Sequence, residues 1–456
     1  MRALAPVAAS ALLLSGCTGG GLGGVRGGPG GAGLGDPLFP GLGNGGYDVR
    51  HYSLTLAYDP GTGRLDGTAE ILARAGRDLS AFNLDLHGLN VREVTVDGAA
   101  AAANRAGDEL TVRPRNDLTG GRFFRTVVRY SGTPRTITDA DESEEGWLRT
   151  AGGALAVGEP AGSPAWFPGN HHPSDKATLD LAVTVPRGLT AVSNGEPGSR
   201  TTTAGGRTTF VWRSAEPMAT YTAVLAIGRY RQTSSRTPSG LPVHTAVEHS
   251  VRESLTRRIP ELTAWAVERF GPYPFSSIGA IVVPDGAVGY ALETQNRPVF
   301  PVSYLTPEIL VHEIAHQWYG NSVTPESWKD MWLNEGFAVH AEWMWLAEFA
   351  DTPLAESFRR AYEEDANWAF PPADPPSPAR ISASPVYGRG AMVLDKVRQS
   401  AGDEAFSRLL KGWAREYRHG NASTADFTAY AERVAGRDLD PVWETWLYGD
   451  GRPARP

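Results

Sequence analysis

The 456-residue sequence contains one cysteine, Cys17, and lysine at only four positions, 176, 329, 396 and 411. The single cysteine excludes a disulfide framework, and a hydrophobic content of 41% is enough to fill globular interiors. Arginine carries nearly all of the positive charge, which we interpret as GC-rich coding. A formal net charge of −8 argues against a protein that binds nucleic acid or an anionic membrane surface.

A basic start precedes a run of apolar residues over residues 3–14. This run is too short to cross a hydrocarbon core of about 30 Å, but it suits the core of a signal peptide. The tetrad Leu-Ser-Gly-Cys that ends at Cys17 resembles a bacterial lipobox. Residues 1–17 therefore predict export and lipid attachment at Cys17 on the outer face of a bacterial cell membrane. The alternative is a chance cysteine in an ordinary signal peptide.

Glycine dominates residues 18–46. Such a composition is typical of a flexible tether, since glycine-rich chains behave as random coils. The sequence therefore predicts a tether that holds a folded region, starting near Tyr47, away from a membrane surface.

The chain length predicts two folded domains, because 456 residues exceed the usual size of a single core. Apolar and polar residues alternate over residues 52–58 and again over residues 179–185, which is the period of a half-buried strand. Short β-rich segments alternate with turns of Gly, Pro, Asp and Asn. We expect a mostly antiparallel β-domain over residues 47–230.

The pattern changes to helical periodicity after about residue 241. Apolar residues at three- and four-residue steps predict a helix over residues 255–270, with a bend at Pro260. Further helices are predicted over residues 307–319, 334–349, 388–398 and 405–418, and a short strand over residues 278–283. The domain over residues 231–456 is therefore expected to be mainly helical, which makes the chain an α+β multidomain protein.

The segment from His312 to His316 reads His-Glu-x-x-His. On a helix, residues four positions apart lie on one face, so both imidazoles can reach one metal ion. Catalytic zinc sites combine three protein ligands with water, and Glu313 is then placed to act on that water. The alternative is a pair of hydrogen-bonded histidines on an amphipathic helix.

The next predicted helix offers a third ligand, Glu335. It lies 19 positions after His316 (335 − 316 = 19), enough chain for a helix-loop-helix return. Two histidines and one glutamate form the set that holds a single zinc ion in thermolysin-type enzymes. Asp330 and Glu342 are candidates for orienting the histidines. Three histidines lack a matching spacing and are not assigned to the metal: His171, His172 and His340.

These motifs resemble the aminopeptidase N family of gluzincins. The resemblance is specific over residues 159–398 and looser over the N-terminal β region. His312, Glu313, His316 and Glu335 match the extended signature, in which the last glutamate lies within Asn-Glu-Gly-Phe-Ala. The family implies a thermolysin-like catalytic domain behind the β-domain. It also implies that Tyr387 steadies the oxyanion, whereas the alternative is a packing residue at the start of a helix.

The resemblance also indicates recognition of a peptide N-terminus. Glu293, within Ala-Leu-Glu-Thr, matches the family glutamate that binds the free α-amine, and Glu159 matches a second glutamate with the same role. A carboxylate pair satisfies an ammonium group, which a mid-chain amide does not supply. The alternative for Glu293 is a surface carboxylate at a strand end. Four residues depart from the family pattern around these motifs: Pro164, His171, Tyr290 and Thr294.

The resemblance therefore implies a zinc aminopeptidase that acts on peptides with free N-termini through metal-activated water. Glu313 would be the general base, and Tyr387 would stabilise the oxyanion. Two alternatives remain open, a zinc endopeptidase on the same core and a non-catalytic surface lipoprotein that binds peptides. Because the sequence ends at Pro456, we expect no large C-terminal helical domain and a more open cleft than in larger members.

Overall fold

The computed structural model describes residues 27–454. The predicted signal peptide, the predicted lipidation site Cys17 and the first part of the predicted tether lie outside the described residues. Within residues 27–454, no helix has both the length and the apolar composition needed to cross a membrane.

The first folded region is built from β-strands, as the alternating pattern predicts. Tyr52, Leu54 and Leu56 are all buried on one face of the first long strand, which lies inside an eight-stranded sheet. Neighbouring strands are mostly antiparallel, but Tyr47–Asp59 and Lys176–Pro186 pair in parallel. In order across the sheet, the strands are Glu196–Thr202, Arg207–Ala219, Lys176–Pro186, Tyr47–Asp59, Arg64–Ala75, Phe123–Gly132, Asn90–Val96 and Ala99–Ala100.

Two smaller sheets complete the β region. One has four strands in the order Gly28–Pro29, Leu79–Asp85, Glu109–Arg113 and Ala102–Ala106. The other has five strands in the order Thr136–Thr138, Glu144–Thr150, Gly153–Val157, Leu225–Gly228 and Thr190–Ser193. Side chains from all three sheets share one hydrophobic core, so the β region packs as a unit.

A fourth sheet connects this core to the helical region. Side chains alternate between the two faces of a strand, and Ile278 and Val282 lie in the helical core while Ile281 and Val283 lie in the β core. The sheet therefore contacts both regions. Its strands, in order, are Tyr230–Arg236, Pro242–Glu248, Ile278–Val283 and Val299–Pro301. A short pair, Thr324–Pro325 and Asn421–Ala422, lies within the helical region.

Seven main helices form the second region of the chain. They are α1 (Ile259–Phe270), α2 (Pro307–Ala315), α3 (Trp332–Phe349), α4 (Leu354–Glu363), α5 (Gly390–Ala401), α6 (Asp403–Glu416) and α7 (Thr424–Ala435). Shorter helical turns are Ser163–Ala165, Thr220–Thr222, Leu255–Arg258, Val302–Tyr304, Trp328–Asp330, Asp365–Trp368, Pro378–Arg380, Pro385–Arg389, Asp440–Val442 and Trp443–Leu447.

Several helix boundaries differ from the sequence prediction. Pro260 does not bend a longer helix, because it is the second residue of α1, where its missing N–H is tolerated. Helix α2 ends at Ala315 and not at residue 319, because the chain then folds back and the Asn321 amide bonds the His316 carbonyl at 2.9 Å. Helices α4 and α7 were not predicted.

The prediction of a flexible tether is wrong for residues 27–46, which we call the N-terminal segment. Its short strand Gly31–Ala32 pairs with Asn44–Gly45, and Leu38 is buried in the helical core. The Asp36 carboxylate accepts hydrogen bonds from the Ser327 hydroxyl at 2.7 Å and the Trp328 amide at 3.0 Å, and its Oδ2 lies 3.3 Å from His172 Nε2. The N-terminal segment therefore joins the β region to the helical region.

Candidate metal centre

Helix α2 presents two histidines to one point. The helix begins after Thr306, whose hydroxyl accepts a hydrogen bond from the Ile309 amide at 3.2 Å, with Pro307 at its first position. His312 and His316 lie on one face, with ring centroids 4.6 Å apart. Both side chains are buried.

Glu335, in the first turn of α3, completes the donor set. Its Oε2 lies 3.2 Å from His312 Nε2 and 3.4 Å from His316 Nε2. Two donor atoms that each lie about 2.0–2.1 Å from a tetrahedral zinc ion are about 3.3 Å from one another. The three side chains therefore fit a single zinc ion in their spacing as well as in their chemistry.

The second nitrogen of each imidazole has its own partner. His312 Nδ1 lies 2.6 Å from Glu342 Oε1, and His316 Nδ1 lies 3.0 Å from the Tyr319 carbonyl oxygen. These acceptors hold the proton on Nδ1 and leave both Nε2 atoms available to a metal. Glu342 is thus one of the two orienting residues proposed from the sequence.

Asp330 does not orient a histidine, so that candidate is wrong. Its carboxylate accepts hydrogen bonds from the Thr424 amide at 2.9 Å and the Thr424 hydroxyl at 2.6 Å, at the start of α7. The sequence also missed the Tyr319 carbonyl, because a backbone oxygen leaves no residue-type signal. That carbonyl is brought to His316 by the turn that follows α2.

The charges of the donor set also fit a cation. Burial raises the pKa of Glu335, but His316 and His312 outweigh burial and hold that pKa at about 2. Burial lowers the pKa of His316, but the carboxylates of Glu335 and Glu293 raise it to about 9. A buried carboxylate at this position therefore requires positive charge beside it, which a metal cation also supplies.

Glu313 points into a cavity beside the metal donors. Its Oε2 has no hydrogen-bond partner among residues 27–454, and its side chain is 4% exposed. Burial raises the pKa of Glu313 to about 8, against the opposing charges of His312 and His316. A buried carboxyl group with an oxygen free of protein partners, next to the metal donors, is placed to act as a general base.

Tyr387 reaches the same cavity from the helical turn Pro385–Arg389, directly before α5. Its ring stacks against the His312 ring, with centroids 6.3 Å apart and planes at 11°. Burial, and then the charge of Glu335, raises the pKa of Tyr387 well above its usual value. The hydroxyl therefore stays protonated and can donate a hydrogen bond.

Glu293 and Glu159 lie on the side of the cavity formed by the β region. Glu293 Oε1 and Glu159 Oε2 have no hydrogen-bond partner among residues 27–454. Carboxylate oxygens of Glu159, Glu293 and Glu335 all lie within 4.8 Å of one another. Burial, and then the charge of Glu293, raises the pKa of Glu159 well above its usual value. The raised pKa shows that two buried carboxylates at this place disfavour being charged together unless a cation joins them.

The cavity has a volume of about 250 Å³ and brings together all seven site residues expected from the sequence outside Cys17. The histidines that were not assigned to the metal lie elsewhere. His171 Nδ1 lies 3.0 Å from the Thr220 hydroxyl oxygen, and His340 Nε2 lies 3.9 Å from Asp395 Oδ1. The cavity is lined by Asp141, Ser143, Glu159, Pro160, Tyr290, Ala291, Leu292, Glu293, His312, Glu313, His316, Glu335, Ser382 and Tyr387.

A helix-borne His-Glu-x-x-His with a glutamate from the next helix is the donor set of a class of zinc peptidases. Residues 49–222 match the Peptidase M1 N-terminal domain, and residues 272–446 match the Peptidase family M1 domain. The chain belongs to peptidase family M1.

Individual relatives resemble this chain over much of its length. It is 28% identical to Aminopeptidase M1-B of Oryza sativa subsp. japonica over 376 residues, which cover 74% of this chain and 40% of the relative. It is 26% identical to Aminopeptidase N of Streptomyces lividans over 439 residues, which cover 86% of this chain and 49% of the relative. The chain thus spans half or less of the length of these curated relatives.

Solved structures of similar length share the whole fold. The M1 zinc metallopeptidase from Deinococcus radiodurans superposes with a TM-score of 0.86 at 28% identity, covering 93% of this chain and 98% of the other. A mutant of an M1 zinc metallopeptidase from the same organism, bound to a Tyr-Ser-Ala substrate, gives a TM-score of 0.86 at 27% identity, covering 93% and 99%. A β-domain followed by a helical catalytic domain is therefore the architecture of this chain.

Proposed function

We propose that the protein is a zinc-dependent aminopeptidase that hydrolyses the first peptide bond of peptides with a free N-terminus. The observation that carries the proposal is the carboxylate pair Glu159 and Glu293 beside the metal donors, each with an oxygen that lacks a hydrogen-bond partner among the described residues. Carboxylates held together away from water are costly unless a cation joins them. The α-ammonium group of a peptide supplies that cation.

His312, His316 and Glu335 would hold the zinc ion. When bound there, zinc polarises a carbonyl oxygen and lowers the pKa of water to about 7. The Nδ1 contacts of both histidines keep the imidazoles in the tautomer and orientation that this binding needs.

Glu313 and Tyr387 have different roles in the proposed reaction. Glu313 takes a proton from the attacking water and passes it to the leaving amine, a role that its buried position beside the metal donors allows. Tyr387, whose hydroxyl stays protonated, donates a hydrogen bond to the carbonyl oxygen as negative charge develops on it.

The amine-binding pair also determines which bond is cut. An ammonium group held by Glu293 and Glu159 is separated from the first carbonyl carbon by only the α-carbon, so the first peptide bond is the one that reaches Glu313. An endopeptidase would place an uncharged amide against the two carboxylates and leave them without a cation, a costly arrangement in a buried site. The carboxylate pair therefore favours the aminopeptidase over the endopeptidase.

The names of the relatives agree with this proposal. Curated relatives from rice and Streptomyces lividans are named aminopeptidases. The Deinococcus mutant bound a Tyr-Ser-Ala substrate, a short peptide of the class proposed here.

Replacement of Glu313 by Gln tests the catalytic part of the proposal. The variant should keep its zinc, because Glu313 is not one of the three donors, and should lose activity by about 10²–10⁴-fold, as expected for a lost general base. Glu308→Gln, in the first turn of the same helix and outside the cavity, is the matched control. Zinc retained with near-normal turnover in Glu313→Gln would contradict the assignment.

We also propose that the chain is exported and lipid-anchored through Cys17 on the outer face of a bacterial cell membrane. Support comes from the Leu-Ser-Gly-Cys tetrad, which follows a short apolar run and holds the only cysteine of the sequence. Replacement of Cys17 by Ser should release the protein from the membrane fraction of the expressing bacterium. Membrane association that is unchanged in Cys17→Ser would overturn this proposal.

A further inference from the structure

One acidic side chain of the cavity has no part in the proposed reaction. Asp141 lines the cavity and lies in the turn between the paired strands Thr136–Thr138 and Glu144–Thr150, which we call the acidic hairpin. Asp141 Oδ1 accepts hydrogen bonds from the Ser143 amide at 3.0 Å and the Ser143 hydroxyl at 2.6 Å. These bonds hold the carboxylate in place at the edge of the cavity.

The acidic hairpin is attached to both segments that carry the amine-binding pair. The Tyr290 hydroxyl donates to the Glu144 carbonyl at 3.1 Å, and Tyr290 lies three residues before Glu293. The buried Glu145 carboxylate accepts a hydrogen bond from the Ala161 amide at 3.0 Å, two residues after Glu159. Asp141 is therefore at the end of the cavity where the amine of the substrate binds.

The charges of the cavity leave Asp141 without a partner of opposite sign. Five of the residues that line the cavity have carboxylate side chains, and no lysine or arginine is among the lining residues. In the proposed reaction, the metal balances the charge of Glu335, and the substrate ammonium balances the charges of Glu293 and Glu159. Glu313 transfers the proton. Within residues 27–454, Asp141 forms no ion pair with a lysine or arginine side chain.

We propose that Asp141 makes this site prefer peptides whose first residue has a cationic side chain, arginine or lysine. The inference rests on the proposed function, because the register comes from the amine-binding pair. Asp141 lines the same cavity as Glu293 and Glu159, so a substrate held by its amine places the side chain of its first residue in the cavity that Asp141 lines. A guanidinium group pairs with a carboxylate through two parallel hydrogen bonds, whereas a neutral side chain leaves Asp141 to water.

Paired substrates that differ only in charge test this preference. Citrulline has nearly the shape of arginine but carries a neutral urea, so arginine and citrulline amides of one fluorophore form a matched pair. At low ionic strength the protein should hydrolyse the arginine amide with a kcat/KM about fivefold higher than the citrulline amide, and added salt should reduce the ratio. Asp141→Asn should bring the ratio close to one, chiefly by lowering the kcat/KM for the arginine amide.

The neighbouring Glu142 provides the control variant. It lies on the same turn and is exposed, but it does not line the cavity. Glu142→Gln should therefore keep the preference for arginine. Equal rates for both amides in the unmodified protein, or a preference that persists in Asp141→Asn, would overturn the inference. A preference that appears only when arginine and citrulline stand at the second position of a dipeptide amide would overturn it as well.

Measurements of ligand binding distinguish a failure of this inference from a failure of the proposed function. Argininamide and citrullinamide are titrated by calorimetry into zinc-loaded Glu313→Gln, with and without Asp141→Asn. Tighter binding of argininamide that depends on Asp141 supports the inference even if no amide is hydrolysed, and the proposed function alone would then fail. Hydrolysis of both amides without discrimination in rate or binding would leave the proposed function standing and overturn the inference.

Discussion

Gly336 of helix α3 packs directly against Gly390 at the start of helix α5. A Cβ atom placed on Gly336 would lie 2.8 Å from the carbonyl carbon of Gly390, closer than such atoms approach one another. The contact lies one residue after Glu335 and three residues after Tyr387. It therefore sets the distance between the metal donors and the hydroxyl that is proposed to stabilise the oxyanion.

Replacement of Gly336 by Ala should separate α3 from α5. Because the new Cβ would meet backbone atoms of Gly390, which cannot rotate away, we expect a loss of about 1–3 kcal/mol in the free energy of unfolding. Tyr387 should shift from His312, and kcat should fall by about 10-fold or more with a smaller change in KM. Denaturant unfolding and steady-state kinetics measure the two effects.

Gly412→Ala is the matched control for this variant. It lies in helix α6, where a Cβ would meet the Tyr430 hydroxyl at 2.0 Å and not the helices of the site. This substitution should lower stability without changing kcat. An unchanged kcat in Gly336→Ala would show that the contact does not position Tyr387.

Replacement of Glu342 by Gln should weaken zinc binding while leaving all three donors in place. Glu342 accepts from His312 Nδ1, and loss of its charge makes the imidazole a poorer ligand. We expect the dissociation constant for zinc to rise by about 10–100-fold, measured by competition with a chelator. Glu348→Gln on the same helix, whose carboxylate bonds Trp265 instead, should leave the zinc affinity unchanged. Equal zinc affinities for Glu342→Gln and the unmodified protein would contradict the orienting role.

Replacement of Asp36 by Asn should destabilise the junction between the two regions. Burial opposes its charge, but its contacts with His172, Ser327 and the backbone outweigh burial and hold the pKa of Asp36 below its usual range. We expect a loss of about 1–3 kcal/mol in the free energy of unfolding at pH 7, measured with denaturant. The unfolded chain binds the proton at higher pH than the folded one. The stabilisation is therefore complete above the unfolded pKa of about 3.9 and is lost as the pH falls below it.

The surface residue Asp374 is the control for that experiment. It pairs with Lys329, which lies on the same short turn as Trp328. The Asp374 carboxylate is largely exposed, so Asp374→Asn should change stability very little. If Asp36→Asn were as stable as the unmodified protein at pH 7, the N-terminal segment would not contribute to the folded unit.

Replacement of Glu293 by Gln should weaken recognition of the free amine. Loss of a charge-assisted hydrogen bond predicts that kcat/KM for peptides with free N-termini falls by about 10–100-fold. Glu216→Gln, a half-buried glutamate outside the cavity, should have no such effect. A kcat/KM in Glu293→Gln that matches the unmodified protein would remove Glu293 from amine binding.

The features that could be predicted from the sequence are those that local residue spacing determines. His312 and His316 are four residues apart on a helix, so their shared face follows from helix geometry alone. The alternation of Tyr52, Leu54 and Leu56 likewise follows from the two-residue period of a strand. Glu335 was found because its spacing from His316 belongs to a motif, and not because its distance to the metal could be calculated.

Contacts between residues that are far apart in the sequence could not be predicted from the sequence. Asp330 lies nearer to the histidines along the chain than Glu342 does, yet Asp330 bonds Thr424 and Glu342 bonds His312. Only the packing of α3 against α2 and α7 decides between them. The glycine-rich composition of the N-terminal segment also concealed Asp36, whose partners are almost 300 residues away.

The most direct test of the central claim compares hydrolysis of aminoacyl amides with free and with acetylated N-termini. Each pair is measured with the protein as purified, after removal of metal by a chelator, and after the return of zinc. The account predicts cleavage of the free amines only, its loss on chelation and its recovery with zinc. Cleavage of acetylated substrates at a comparable rate, or activity that survives complete removal of the metal, would contradict it.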